Sequence, residues 1–131
     1  MNTRVLMIAS AAAMGFAGLA LTFAPQEVLA WGGAEPRGFA VLMAQAAGAL
    51  YAGFAMLNWM AKDVAIGGIY SRPVAVGNFA HFCLMGGALV RLSVSAQRSG
   101  FILLVALLYL VFAIGFGLLL FISPRSVAKT E

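Results

Sequence analysis

The sequence predicts an all-α integral membrane protein, folded as an up-down-up-down four-helix bundle with both termini in the cytoplasm. Four runs of 20 to 24 mostly apolar residues take up most of the 131-residue chain, and 63% of all residues are hydrophobic while only 9% are charged. A helix needs about 20 apolar residues to cross the hydrocarbon core of a bilayer. A chain this poor in charge could not cover a soluble core with a polar surface. We therefore expect residues 1–131 to form one transmembrane domain.

The predicted spans are residues 5–24, 39–61, 73–96 and 100–122. The first is longer than the apolar segment of a signal peptide, which has about 7–15 residues, so we interpret it as a membrane helix. Pro25 is expected to end it, and Pro73 to begin the third, because proline has no N–H to donate within a helix. The connector at residues 62–72 is expected to turn at Gly67 and Gly68, along the headgroups.

The side chains of the spans predict how they pack. The first two carry small residues four positions apart, such as Ala44, Gly48 and Ala52 in the second. Small residues at this spacing let helix backbones approach closely in lipid, so these two helices are expected to make the closest contact. The fourth span is bulky and apolar on every side. It is expected to be the most lipid-exposed helix, with Ala113 and Gly117 forming its one smooth face.

Positive charge predicts the orientation, because Lys and Arg are enriched in cytoplasmic connectors. Five positive residues fall on one side of the predicted spans: Arg4, Lys62, Arg72, Arg125 and Lys129. Arg37, Arg98 and Arg91 fall toward the other, which favours cytoplasmic termini. Trp31, Trp59 and Tyr70 lie near span boundaries, where amphipathic rings favour the headgroup layer. We attribute the net charge of +4 to topology and lipid contact, with no nucleic-acid partner, since no basic run is interleaved with aromatics.

Polar residues inside the spans form the candidate site, since they are costly in lipid unless paired or facing a cavity. They are Gln45, Tyr51 and Asn58 in the second span and Asn78, His81 and Arg91 in the third. If these helices are antiparallel neighbours, residues at equal depth have numbers with a constant sum. That places Asn58, Asn78 and His81 at an inner level, and Gln45 and Arg91 at an outer one. Helical spacing also puts Tyr51 on the face of Asn58.

Two interpretations of the inner level remain open. The three side chains could hydrogen-bond to one another and hold helices together, or they could form a ligand or proton site. Any proton-linked behaviour would run through His81, the only span residue that ordinarily titrates near neutral pH. Arg91 lies close enough to the outer boundary to extend its guanidinium to lipid phosphates, which indicates a structural role.

Several chemistries lack the residues they need. Cys83 and His81 are the only residues of their types, which excludes a thiol–disulfide pair and bis-histidine haem ligation within one chain. No Asp or Glu lies in a predicted span, so a proton-coupled exporter would lack its membrane carboxylate. We predict no catalytic residue, no metal site and no dedicated cofactor-binding residue. A quinone is the one cofactor left open, with His81 hydrogen-bonding its carbonyl.

Several stretches carry a family resemblance. The first span ends in Phe23-Ala24-Pro25, the second contains residues 45–55, and the third ends in residues 86–92. Together with an apolar fourth span, this pattern resembles the small four-helix bacterial inner-membrane proteins of the DoxX-like and related uncharacterised families. The resemblance covers most of the chain. It implies a partner-dependent protein of the bacterial inner membrane, and some members of such families are subunits of quinone-linked oxidoreductases.

Three functions follow from these observations. The leading one is a non-enzymatic accessory or scaffold subunit of a larger membrane complex, motivated by the lack of catalytic groups and of extramembrane mass. The second is a small-molecule or ion carrier or channel that uses Asn58, Asn78 and His81. The third is a quinone- or lipid-binding component of a membrane oxidoreductase. The expected partners are the lipid bilayer and either other membrane chains or a second copy of this chain.

Overall fold

The computed structural model describes residues 3–63, 71–95 and 100–122. These residues form five helices: α1 (Thr3–Phe23), α2 (Pro25–Trp31), α3 (Phe39–Ala61), α4 (Ser71–Ser95) and α5 (Gly100–Ile122). Four of them, α1, α3, α4 and α5, are long and apolar enough to cross a membrane. They correspond to the four predicted spans, so the prediction of four helices able to cross a membrane is confirmed, and all regular structure in the described residues is helical.

Helices α1 and α3 make the closest contact, as their small residues predict. At Gly18 a Cβ atom would lie 2.9 Å from the backbone nitrogen of Ala52 and 3.0 Å from the carbonyl oxygen of Gly48. At Gly48 it would lie 2.6 Å from Oγ1 of Thr22 and 2.9 Å from the carbonyl oxygen of Gly18. Only glycine fits at these two positions, because the two backbones touch there.

Contacts at both ends of this pair show its direction. Thr22, near the end of α1, lies against Gly48, whereas Arg4, at the start of α1, places its Nε 3.1 Å from Oδ1 of Asp63, just after α3. The two helices therefore run antiparallel. The Arg4–Asp63 pair is more than half exposed, and exposed ion pairs add little stability.

Helices α4 and α5 form a second antiparallel pair, which packs through aromatic rings. The ring of Phe82 stacks on Phe112 and Phe116 with centroid distances of 4.9 and 5.9 Å, and Phe79 lies against Gly117. Phe82 and Phe116 are completely or almost completely buried. The main apolar core lies here, and α1 contributes Met7 and Met14 to it.

The prediction that the fourth span is the most lipid-exposed helix is wrong. In α5, 44% of the residues in the most apolar stretch are buried, against 28% in α1, 11% in α3 and 22% in α4. Its bulky side chains, among them Phe112, Phe116 and Leu119, supply much of the core. A helix that is apolar all round gives no sign of which face is buried, since lipid tails and protein cores are equally apolar.

The connector after α1 contains an additional helix. Pro25 ends α1 as expected and also occupies the first turn of α2, where its missing N–H costs nothing. Gly33 and Gly38 have φ angles of +76° and +51° and return the chain into α3. The ring of Trp31 then meets Phe101 edge-on at 5.8 Å, so α2 packs over the start of α5.

The remaining boundary predictions have mixed outcomes. Helix α4 begins at Ser71, two residues before Pro73, which lies in its first turn. The predicted turn at Gly67 and Gly68 and the boundary residue Tyr70 lie outside the described residues.

Replacing Gly48 with leucine should destabilise the protein by about 1–3 kcal/mol, the usual cost of overpacking. The new side chain would meet the backbone of α1. Gly53→Leu is the matched control, because a Cβ at Gly53 meets no atom of the described residues within 4 Å. Thermal unfolding in detergent would measure both variants. Equal midpoints for the two would contradict a tight α1–α3 contact.

Candidate functional site

The two helix pairs, α1/α3 and α4/α5, are joined by a pair of buried amides. Nδ2 of Asn58 donates to Oδ1 of Asn78 at 2.8 Å, and Nδ2 of Asn78 donates to Oδ1 of Asn58 at 2.6 Å. Both side chains are fully buried. The equal depth that the sequence assigns to these residues is therefore accompanied by direct contact.

Ser10 on α1 is a third member of this group, which sequence reasoning missed. Nδ2 of Asn58 also donates to Oγ of Ser10 at 3.0 Å, and that hydroxyl donates to the carbonyl oxygen of Met7 at 3.0 Å. Nδ2 of Asn78 has a second acceptor, the carbonyl oxygen of Val74, at 2.8 Å. The amide pair and Ser10 satisfy one another, as buried polar groups that hold helices together should.

A signal for Ser10 is present in the sequence. In the α1–α3 contact, Gly18 faces Ala52 and Gly15 faces Ala55, so contacting residues have numbers with a nearly constant sum. The same relation sets Ser10 against the region of Asn58. A constant sum of residue numbers in the first two spans therefore predicts that Ser10 lies at the depth of Asn58.

His81 does not belong to this group, although it lies three residues after Asn78 on the same helix. Its ring lies among four aromatic rings, those of Tyr51, Phe54, Phe82 and Tyr109, at centroid distances of 5.2, 5.5, 5.2 and 5.6 Å. Its Nε2 is buried and has no hydrogen-bond partner among the described residues. The predicted Asn58, Asn78 and His81 cluster is thus an amide pair with a separate aromatic group beside it.

The hydroxyl groups of Tyr51 and Tyr109 are hydrogen-bonded to each other. This bond joins α3 to α5 near the middle of both helices. Tyr51 was among the predicted site residues, but Tyr109 was missed. The sequence does distinguish Tyr109, because it is the only residue with a polar side chain in the fourth span. Tyr109 is 8% exposed, so the pair lies inside the bundle.

The predicted outer level has a different arrangement from the inner one. Nε2 of Gln45 is 3.5 Å from the carbonyl oxygen of Thr22 on α1, to which it donates. Gln45 and Arg91 are both exposed, in keeping with an Arg91 side chain that can reach the membrane surface.

A cavity of about 350 Å³ lies between the two helix pairs, with α2 at one end. All four spanning helices and α2 contribute to its wall. Small α1 residues, Ala13, Ala17 and Ala20, face large ones on the other helices, including Phe82 and Phe112. Tyr51, Tyr109 and Trp31 also line it, and none of its lining residues is charged. Its size falls in the range of about 300–1,000 Å³ found for small-molecule sites.

The described residues hold no group of three or more His, Cys, Asp or Glu side chains placed to bind a metal ion. Cys83 is exposed on α4. The chemistry available inside the bundle is therefore neutral hydrogen bonding from the tyrosines and His81, together with apolar contact.

No family model matches the chain, and neither a curated protein nor a solved structure matches it. The cavity and the polar groups around it are therefore the features that indicate a function.

Asn58→Leu and Asn78→Leu should each lower the free energy of unfolding by about 1–3 kcal/mol, because each leaves the other amide buried without its partner. The double variant should cost less than the sum of the two, since it removes both amides together. Thermal unfolding in detergent measures the three variants.

His81→Leu is the matched comparison on the same helix. It should change stability much less than Asn78→Leu, since Nε2 of His81 makes no hydrogen bond to a described residue. A loss as large as that of Asn78→Leu would show that the imidazole makes an interaction beyond its ring contacts.

Proposed function

We propose that the protein binds a lipid-soluble molecule in the cavity between its two helix pairs. The observation that carries this proposal is the cavity itself: about 350 Å³ of space with apolar walls, bordered by helices long enough to span the bilayer. A cavity with apolar walls tends to exclude water, so a hydrophobic molecule is its natural occupant.

Of the three functions expected from the sequence, binding in this cavity corresponds to the quinone- or lipid-binding component of a membrane oxidoreductase. An oxidoreductase partner would supply the chemistry, because the cavity wall offers no charged or metal-binding group. A quinone meets the same requirement as other apolar molecules with a hydrogen-bonding head. The resemblance to DoxX-like proteins agrees with this assignment, and we retain membership of those families as a proposal.

A carrier or channel that runs through the amide pair has less support. Asn58 and Asn78 use their amide groups on each other, on Ser10 and on the backbone of α4. A transport path would need groups that can exchange their partners for a substrate. His81 is a better candidate than the two asparagines for contact with a substrate, because its Nε2 makes no hydrogen bond to any described residue.

The two tryptophans allow a direct test of cavity binding. Trp31 lines the cavity, whereas Trp59 lies on the outside of the α1/α3 pair. In nanodiscs, 1-bromododecane should quench the fluorescence of Trp31 saturably in a Trp59→Phe background. Quenching of Trp59 in a Trp31→Phe background should rise only in proportion to the probe in the bilayer.

Filling the cavity provides the control for this measurement. Ala17→Phe places a ring into the cavity wall and should abolish the saturable quenching, while Ala9→Phe, on an exposed position of the same helix, should leave it unchanged. Linear quenching of Trp31 in the unfilled protein would contradict a binding site.

The accessory or scaffold subunit remains a second candidate, favoured by the exposure of α3. Only 11% of its most apolar stretch is buried. An apolar groove of about 320 Å³ also runs along the outer face of α1 and α3, between Ala11, Ala12, Ala55, Met56, Trp59 and Met60. A partner chain or a second copy could pack there. Extraction in a mild detergent should then yield a co-purifying membrane chain or a dimer, and a lone monomer would argue against this role.

We further propose that the chain lies in the bacterial inner membrane, crosses it up-down-up-down and has both termini in the cytoplasm. The support is the five-to-three division of positive residues. Two reporters fused after Glu131 test this orientation. A reporter that is active only in the cytoplasm should give a signal, and one that is active only in the periplasm should not. A periplasmic signal would reverse the orientation.

A further inference from the structure

The Tyr51–Tyr109 pair has a hydrogen-bonding group left over. When two hydroxyls share one bond, one hydrogen is donated and the other remains without an acceptor. Among the described residues, the shared bond is the only hydrogen bond of either hydroxyl. Both tyrosines line the cavity, so an acceptor could reach them from within it.

His81 adds a second unmatched group to the same cluster. Its ring packs against both tyrosine rings, edge-on to Tyr51 and tilted to Tyr109. Its Nε2 is buried and unpaired among the residues that the structure describes. Buried polar groups are nearly always satisfied in folded proteins, so unpaired groups call for an explanation. His81 is not one of the residues that line the cavity, so of these groups only the tyrosine hydroxyls belong to its wall.

The cavity wall restricts the charge of that head. No Lys, Arg or other charged residue lines the cavity. A phosphate or carboxylate placed there would be buried without a counter-charge, which is strongly unfavourable. Tyr51 and Tyr109 also lie near the middle of α3 and α5, far from the interface where phospholipid headgroups lie. A head bound beside these hydroxyls would therefore be uncharged and would lie near the middle of the spanning helices.

We propose that the Tyr51–Tyr109 hydroxyl pair binds the oxygen atom of an uncharged, lipid-soluble ketone or alcohol whose apolar body fills the cavity. This inference rests on the proposed function, because it concerns the same cavity. It adds the polar end of the ligand, the residues that contact it and the exclusion of anionic lipids.

Competition against 1-bromododecane at Trp31 tests this proposal in the nanodisc assay. The competitors share one chain length and differ only in the head: 2-dodecanone, 1-dodecanol, dodecane and dodecanoate. The ketone and the alcohol should displace the probe at about three- to tenfold lower mole fraction than dodecane, as expected for one hydrogen bond within a membrane protein. Dodecanoate should compete no better than dodecane.

The double variant Tyr51→Phe/Tyr109→Phe removes both hydroxyls and keeps both rings. It should lose the preference for the ketone and the alcohol while 1-bromododecane still quenches Trp31 saturably. Ser93→Ala is the control, since it removes an exposed hydroxyl of α4 that bonds only its own helix, and the preference should persist.

Each failure has a separate meaning. Two results would contradict the proposed contact between the ligand head and the tyrosine hydroxyls while leaving cavity binding intact. One is that dodecane competes as well as 2-dodecanone in the wild type. The other is that the preference for the ketone and the alcohol survives in the double variant. If the double variant no longer shows saturable quenching, thermal unfolding separates the two causes. A folded double variant without saturable quenching also contradicts the proposed contact between the ligand head and the tyrosine hydroxyls. If the double variant is unfolded, the single Tyr51→Phe and Tyr109→Phe variants provide the test, and each should weaken the preference for the ketone and the alcohol. If Trp31 is never quenched saturably in the wild type, the proposed function itself fails.

Discussion

The fold depends on interactions that fix the positions of the spanning helices without a hydrophobic driving force. Within a bilayer an apolar side chain gains little by leaving lipid for a protein core, so hydrogen bonds and close backbone contact must determine which helices meet. The Asn58–Asn78 amide pair meets this need between the two helix pairs, and Ser10 extends it to α1. Because each amide supplies the donor and the acceptor that the other requires, the pair specifies one depth and one orientation.

The two helix pairs pack by different means, and the cavity follows from that difference. Helices α1 and α3 meet backbone to backbone at Gly18 and Gly48, while α4 and α5 pack through stacked rings around Phe82. Where α1 presents alanines toward these rings, the side chains are too short to fill the gap. Empty space in an apolar interior forfeits dispersion contacts, so a bound apolar molecule would restore contacts that the protein does not make itself.

Polar groups around the aromatic cluster have a different status from those in the amide pair. Asn58, Asn78 and Ser10 are matched with one another and act as structural contacts. Tyr51, Tyr109 and His81 are only partly matched among the described residues. Polar groups that hold helices together tend to have all their hydrogen bonds satisfied within the protein, whereas groups that bind a ligand need free donors or acceptors. This distinction, more than residue type, is the reason for placing the ligand head at the tyrosines.

The sequence by itself determined the number and approximate extent of the spanning helices, because bilayer thickness fixes their length, and it placed the end of α1 at Pro25. It also determined the close α1–α3 contact, from the spacing of small residues, and the shared depth of Asn58 and Asn78, from the short connector between their helices. Only the tertiary structure decided how each helix is rotated. Residues three apart differ by about 60° around a helix axis, enough to direct Asn78 to the amide pair and His81 to the aromatic rings. Only the tertiary structure also decided that α5 is the most buried span and that Tyr109 meets Tyr51. A helix that is apolar on every face has no sequence pattern to show which face contacts lipid and which contacts the protein core.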